Sequence, residues 1–278
     1  MRGSVGNFRL ERELSRDTTA ISFLATHRVL PRTALLKVMA DVDAAGEAFV
    51  ALQMLREAGL QSVLQHAGVP IVFEAGLHER RPWFAAEHIA GVSLSDSFSV
   101  IDRQQAVALV RELADILDHA HRRGVVHCGL QPDHVTLGTR TFITDWSPAR
   151  AHDAAAMPYT PTLASWHYTA PELQHGQPAT DRADTYSLGV LAHQMLAGVP
   201  YSRGSHITLD GVPHDVTLLV AQMLAEDPRD RPSCAEVLGR AFAPALRIRR
   251  PRWTPDVYTH LRADLIPRDA AAIDDDQP

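Results

Sequence analysis

The chain has 278 residues, 45% hydrophobic and 22% charged, with a formal net charge of −6; that suits one large soluble domain, or two lobes around a cleft, and speaks against nucleic acid or an anionic membrane as the main partner. No apolar run approaches the roughly 18 residues that span a bilayer, and the polar stretch after Met1 carries no secretory leader. The 15 histidines are scattered, and the two cysteines, Cys128 and Cys234, are far apart and form no metal-type pair, so a reduced, cytoplasmic setting is expected.

Residues 8–39 read as strands: Phe8-Arg9-Leu10 opens the set, Ile21 to Ala25 continues it and Thr33 to Met39 closes it. Apolar groups at Ala48, Val50, Ala51, Met54 and Leu55 give residues 47–59 near-helical spacing. Val69 to Phe73 and Trp83 to Ala86 read as two further strands. Asp102 is placed to cap a long helix whose stripe runs Val107, Val110, Leu113, Ala114, Leu117 and Ala120, with Gly124 as its stop. Strand-like pieces follow at 133–138 and 141–144. Residues 185–197 are apolar on nearly every side, which predicts a helix buried all round. Near the end, Arg247, Arg249, Arg250 and Arg252 surround Pro251, and Asp274 to Asp276 close an acidic terminus; residues 246–278 read as a mobile tail.

The most informative stretch is His127-Cys128-Gly129-Leu130-Gln131-Pro132-Asp133-His134-Val135. It resembles the catalytic loop of protein kinases, H-R-D-L-K-P-x-N-V. Other matches fall in family order. Ala34-Leu35-Leu36-Lys37 is similar to the strand bearing the phosphate-binding lysine, and Glu57 follows twenty residues later as its ion-pair partner. Glu87-His88-Ile89 resembles the hinge, and Asp145-Trp146-Ser147 matches D-F-G at its first position. Ala170-Pro171-Glu172 is an intact A-P-E, Asp184 to Gly189 resembles the central helix, and Arg231 is placed to pair with Glu172. One tripeptide would be weak evidence; an ordered series is strong. The wording of residues 121–127 resembles the bacterial branch of the Ser/Thr kinases. The resemblance implies an α+β, two-lobed fold. Residues 8–89 would form a small antiparallel sheet with one helix and the hinge, and 90–245 a larger, mainly helical lobe, ahead of the tail at 246–278.

The departures from the family pattern define the functional expectation. Gly129 stands where the catalytic aspartate is expected, Gln131 where the lysine on the transferred phosphate is expected, and His134 where a magnesium-binding asparagine is expected. Imidazole is a poor ligand for that hard cation, which leaves Asp145 as a thin metal site. The lid, Leu14-Ser15-Arg16-Asp17-Thr18-Thr19-Ala20, has lost all three glycines and gains a negative charge at Asp17. Leu35 partly fills the adenine site, Ser22 stands where the family has a valine, and Ala86 opens space at the back. Lys37, Glu57, Glu87, Ile89 and Asp145 remain as candidate nucleotide contacts. A purely structural ion-pair role for Lys37, Glu57 and Asp145 stays open. Asp133, at a position usually turned from the cleft, and His134, facing the metal, are poor substitutes for the missing base. Trp146 is expected in the core and Ser147 to stiffen its turn. Thr160, Thr162 and Ser165 lie in the activation segment, where Cys128 replaces the arginine that would grip a phosphate. The implied role is a pseudokinase, a regulatory or scaffolding module that binds another protein such as an active kinase or signalling protein, with neither ATP nor magnesium required. The alternatives are an unusual Ser/Thr kinase or other ATP-using transferase on the same scaffold, and a nucleotide-sensing switch.

Overall fold

The computed structural model describes residues 3–152 and 165–240; the expectations for Thr160, Thr162 and residues 246–278 lie outside them. The first part is a six-stranded antiparallel sheet in the order β1-β2-β3-β4-β6-β5. Its strands are β1 (Ser4–Val5), β2 (Phe8–Arg16), β3 (Ala20–His27), β4 (Thr33–Met39), β5 (Val72–His78) and β6 (Arg81–Glu87). One helix, α1 (Ala44–Ser62), packs on it. Phe8, Phe23, Ala34, Leu36 and Trp83 fill one face of the sheet. Met39, Val50, Met54, Phe84 and Ala86 seat α1 on the other.

Three of the boundaries that depart from the sequence expectations do so for a plain local reason. β2 runs on to Arg16 because its polar residues are exposed along an edge and two register shifts let it follow β3. α1 starts three residues early because the Asp43 carboxylate accepts from the Gly46 N–H. The fifth strand begins at Val72, beyond Pro70, which has no N–H to lend to a ladder.

The second part is mainly helical. A short β7 (Val92–Ser93) and α2 (Leu94–Ser97) lead into α3 (Arg103–His121). A capping box between Asp102 and Gln105 starts α3, and Gly124, at φ 70°, turns the chain just past its end. Then come β8 (Val125–Val126), β9 (Val135–Leu137), β10 (Thr141–Ile143), β11 (Arg150–Ala151), α4 (Pro171–Gln174), α5 (Asp181–Ala197), α6 (His214–Met223) and α7 (Cys234–Arg240). β9 lies between β10 and β7, and Gly91 is required where the chain meets the Leu137 carbonyl, which a Cβ would strike. α5 is buried from Ala183 to Leu196 apart from Gln194, matching its all-round apolar pattern. No helix among the described residues is long and apolar enough to cross a membrane.

Candidate functional site

A cleft of about 300 Å³ opens between the sheet and the β9–β10 hairpin. Lys37, Glu57, Glu87, Ile89 and Asp145 all line it, as do Ser22, Leu35 and Ala86. Lys37 reaches in from β4, and its ammonium donates to both Glu57 oxygens, at 3.0 and 2.9 Å. The Asp145 Oδ1 lies 3.9 Å away. Burial alone would lower the Lys37 pKa, but the Glu57 and Asp145 carboxylates outweigh it and hold the ammonium above its usual range. Burial pushes the Glu57 carboxyl up and Lys37 pulls it down; the two-pronged contact identifies an ion pair.

The catalytic-loop stretch is anchored from behind by Asp184 of α5. Its fully buried carboxylate accepts from the His127 and Cys128 backbone N–H groups, both at 2.8 Å, and meets His121 Nε2 at 2.8 Å. Burial would lower the His121 pKa, yet its bond to Asp184 raises it to about 10. His127 is also fully engaged: Nε2–H donates to the Asp145 carbonyl and Nδ1 accepts from the Gly129 N–H. Burial therefore pushes its pKa down to about 4. Cys128 is buried at φ 63°, and burial pushes its thiol up. It is a packed thiol, not a nucleophile.

The front of the loop is satisfied by its own side chains. His134 Nδ1 lies 2.7 Å from the Gly129 carbonyl. A carbonyl only accepts, so this nitrogen carries the proton. His134 Nε2 then accepts from the Gln131 amide at 2.8 Å and faces Asp145 Oδ2 at 3.2 Å. Asp145 Oδ1 accepts from the Ser147 N–H at 3.0 Å. Burial would raise the Asp145 carboxyl, but the Lys37 ammonium and that N–H hold it well below the usual carboxylate range. Asp133 is exposed, and Gly129 has no side chain to offer.

At the other end of the cleft the lid turns back on itself. Asp17 Oδ1 accepts from the Thr19 N–H (2.6 Å), the Thr19 hydroxyl (2.7 Å) and the Ala20 N–H (2.8 Å). Burial opposes its ionisation, and these bonds prevail, lowering its pKa. Backbone N–H groups of a lid are the donors a phosphate would use. Here they already hold a carboxylate.

The residues present thus do not fit a magnesium triphosphate. Asp17 occupies the anion's donors, His134 faces the carboxylate oxygen a metal would take, and four carboxylates line the cleft against one ammonium, that of Lys37. Among the described residues no group of three or more His, Cys, Asp or Glu side chains could hold a metal ion.

The remaining motif residues serve the scaffold. Arg231 is wholly buried and meets both Glu172 oxygens at 2.7 and 2.9 Å, with further bonds to the Ala225, Arg182 and Glu226 carbonyls. Trp146 is buried, its indole N–H donates to the Ile143 carbonyl, and its ring stands edge-on to His127 at 4.8 Å.

Residues 9–243 match the protein kinase domain family. The chain belongs to the protein kinase family. It is 29% identical over 273 residues to the serine/threonine-protein kinase PknJ of Mycobacterium tuberculosis, covering 88% of this chain and 46% of that one. Against the serine/threonine-protein kinase PrkC of Bacillus subtilis it is 23% identical over 254 residues, covering 83% and 39%. The chain therefore spans less than half the length of these relatives. The solved kinase domain of Mycobacterium tuberculosis PknI superposes with a TM-score of 0.67 at 24% identity, over 87% of this chain and 98% of that one, a likeness in fold.

Within this kinase-family cleft, Lys37, Glu57, Glu87, Ile89 and Asp145 come together, but several walls carry no motif to mark them. Gln61, Pro70, Phe84, Thr136 and Thr144 also line it. Gln61 carried a usable signal, one turn beyond Glu57 on the same helix. The self-capping role of Asp17 was readable only in part: Asp two residues before Thr is a turn signature, but its fit to the lid donors is a matter of geometry.

Proposed function

We propose that this kinase-family chain is a pseudokinase, a regulatory or scaffolding module that acts by binding another protein and not by transferring phosphate. The reading rests on Gly129. A positioned general base supplies about 10²–10⁴-fold in rate, and at this position no carboxylate is offered. The Gln131–His134–Gly129 network supports it, since the side chains that would steady phosphate and metal are bonded to the loop itself. Transfer of phosphate depends almost entirely on such positioning and charge neutralisation. Lys37, Glu57 and Asp145 then act as an ion-pair set that fixes α1 against the sheet. The partner proposed is a signalling protein, an active kinase in particular. The outward side of α1 favours an interaction role: Phe49, Leu52 and Leu55 are 46–63% exposed there.

The test is genetic. In cells lacking the chain, a Lys37→Arg version, which keeps a cation between Glu57 and Asp145 but alters the phosphate-binding group, is expected to restore the phenotype as fully as the unaltered one. Failure of that version alone, at equal abundance and stability, contradicts the reading.

A further inference from the structure

The mismatch between the cleft and a magnesium triphosphate points to what the cleft would accept. Its walls are apolar at one end, where Leu35 and Ala86 are register partners on β4 and β6 and Ile89 adjoins them. That end suits a flat ring. The charged end is the reverse of a phosphate site. Asp17, Glu57 and Asp145 gather round Lys37, which is shared between Glu57 and Asp145, and Glu87 adds a fourth carboxylate beside Ala86. His88 does not redress the balance, because burial, aided by nearby Arg12, lowers its pKa. The Thr19 and Ala20 N–H groups of the lid are already bonded to Asp17. Asp145 accepts from the Ser147 N–H, and His134 Nε2 faces its other oxygen. A polyphosphate entering here would meet negative potential, with two of the lid's N–H groups already bonded to Asp17. A concave site lined by one sign of charge concentrates ions of the opposite sign.

We infer that the cleft selects a flat, phosphate-free ligand bearing an amine, and binds it without a divalent metal. The inference rests on the same cleft as the pseudokinase reading but is separable from it, since a chain that transfers nothing can still hold a magnesium nucleotide.

Three probes with one ring system isolate the charge: adenosine, 5′-amino-5′-deoxyadenosine and ATP, each titrated calorimetrically with magnesium and with EDTA. The amine is expected to bind about tenfold or more tighter than ATP, roughly 1.4 kcal/mol, with adenosine between them and no dependence on magnesium. Two variants locate the cause. Asp17→Asn keeps an acceptor for the lid and removes the charge, so the amine is expected to weaken severalfold. Asp17→Gly also frees the lid donors, so ATP is expected to gain. Melting of each variant verifies that it is folded. Tighter binding of ATP than of the amine, a requirement for magnesium, or no binding of the amine at millimolar concentration overturns the inference. Tight magnesium-dependent ATP binding without transfer would overturn it alone, whereas labelled phosphate transfer would overturn the pseudokinase reading.

Discussion

The rear and the front of residues 127–134 obey different rules. At the rear, buried Asp184 binds two buried backbone N–H groups and a partly buried histidine, each at 2.8 Å. At the front, Gly129, Gln131 and His134 sit beside the open cleft and are partly accessible apart from Gly129. The rear retains His127 and Asp184 as the family resemblance requires, with Cys128 contributing only its backbone N–H, and the front has lost its family residues. The difference teaches that the loop's shape is fixed by its buried anchor and not by its chemistry. The front residues can change without undoing the fold, because His134 and Gln131 satisfy one another and the Gly129 carbonyl.

The sharpest way to break that contrast is to remove the anchor. Asp184→Ala leaves the His127 and Cys128 N–H groups unpaired and a buried His121 without its counter-charge. It is expected to cost about 3–5 kcal/mol in denaturant melts. A loss as small as that of a surface substitution would show that the loop is held in some other way.

The pH dependence of stability sharpens the contrast from two sides. His121 has its pKa raised to about 10 in the folded state. Its contribution is complete below the unfolded value near 6.5 and is lost as pH rises toward 10. His127 has the opposite sign, lowered to about 4, so it destabilises the fold as pH falls from near 6.5 toward 4. Stability is expected to peak near neutral pH, with His121→Gln flattening only the alkaline limb. An alkaline limb unchanged in that variant would contradict the anchoring role.

The smallest effect is expected at the front. His134→Ala removes bonds in a partly accessible site and is expected to shift stability by about 1 kcal/mol, measured in the same melts. A loss rivalling that of Asp184→Ala would erase the distinction between the two sides.

Much of this was legible in the sequence where a residue type meets a fixed motif position. Lys37, Glu57 and Asp145 fall on β4, α1 and the turn after β10 and converge in one cleft. Arg231 meets Glu172 across 59 residues, as the motif order implies. The apolar run at 185–197 gave the buried α5 directly, though its first turn at Asp181 is polar and escaped the pattern. What resisted reading was geometric. Asp17 signals a negative charge in the lid, but only its three short bonds reveal that the Thr19 and Ala20 N–H groups are taken. His134 signals a lost metal ligand, but only the Gly129 carbonyl fixes which nitrogen faces Asp145. The onset of β5 depended on where Pro70 releases the ladder, beyond the reach of an apolar run.

The central claim is that the front of this loop does not move phosphate, and a transfer measurement reaches it most directly. The chain is incubated with γ-labelled ATP and magnesium or manganese, alone and with a general acceptor protein, beside Lys37→Met as the blank. The account predicts incorporation indistinguishable from that blank. Label transferred by the unaltered chain and abolished by Lys37→Met would contradict it.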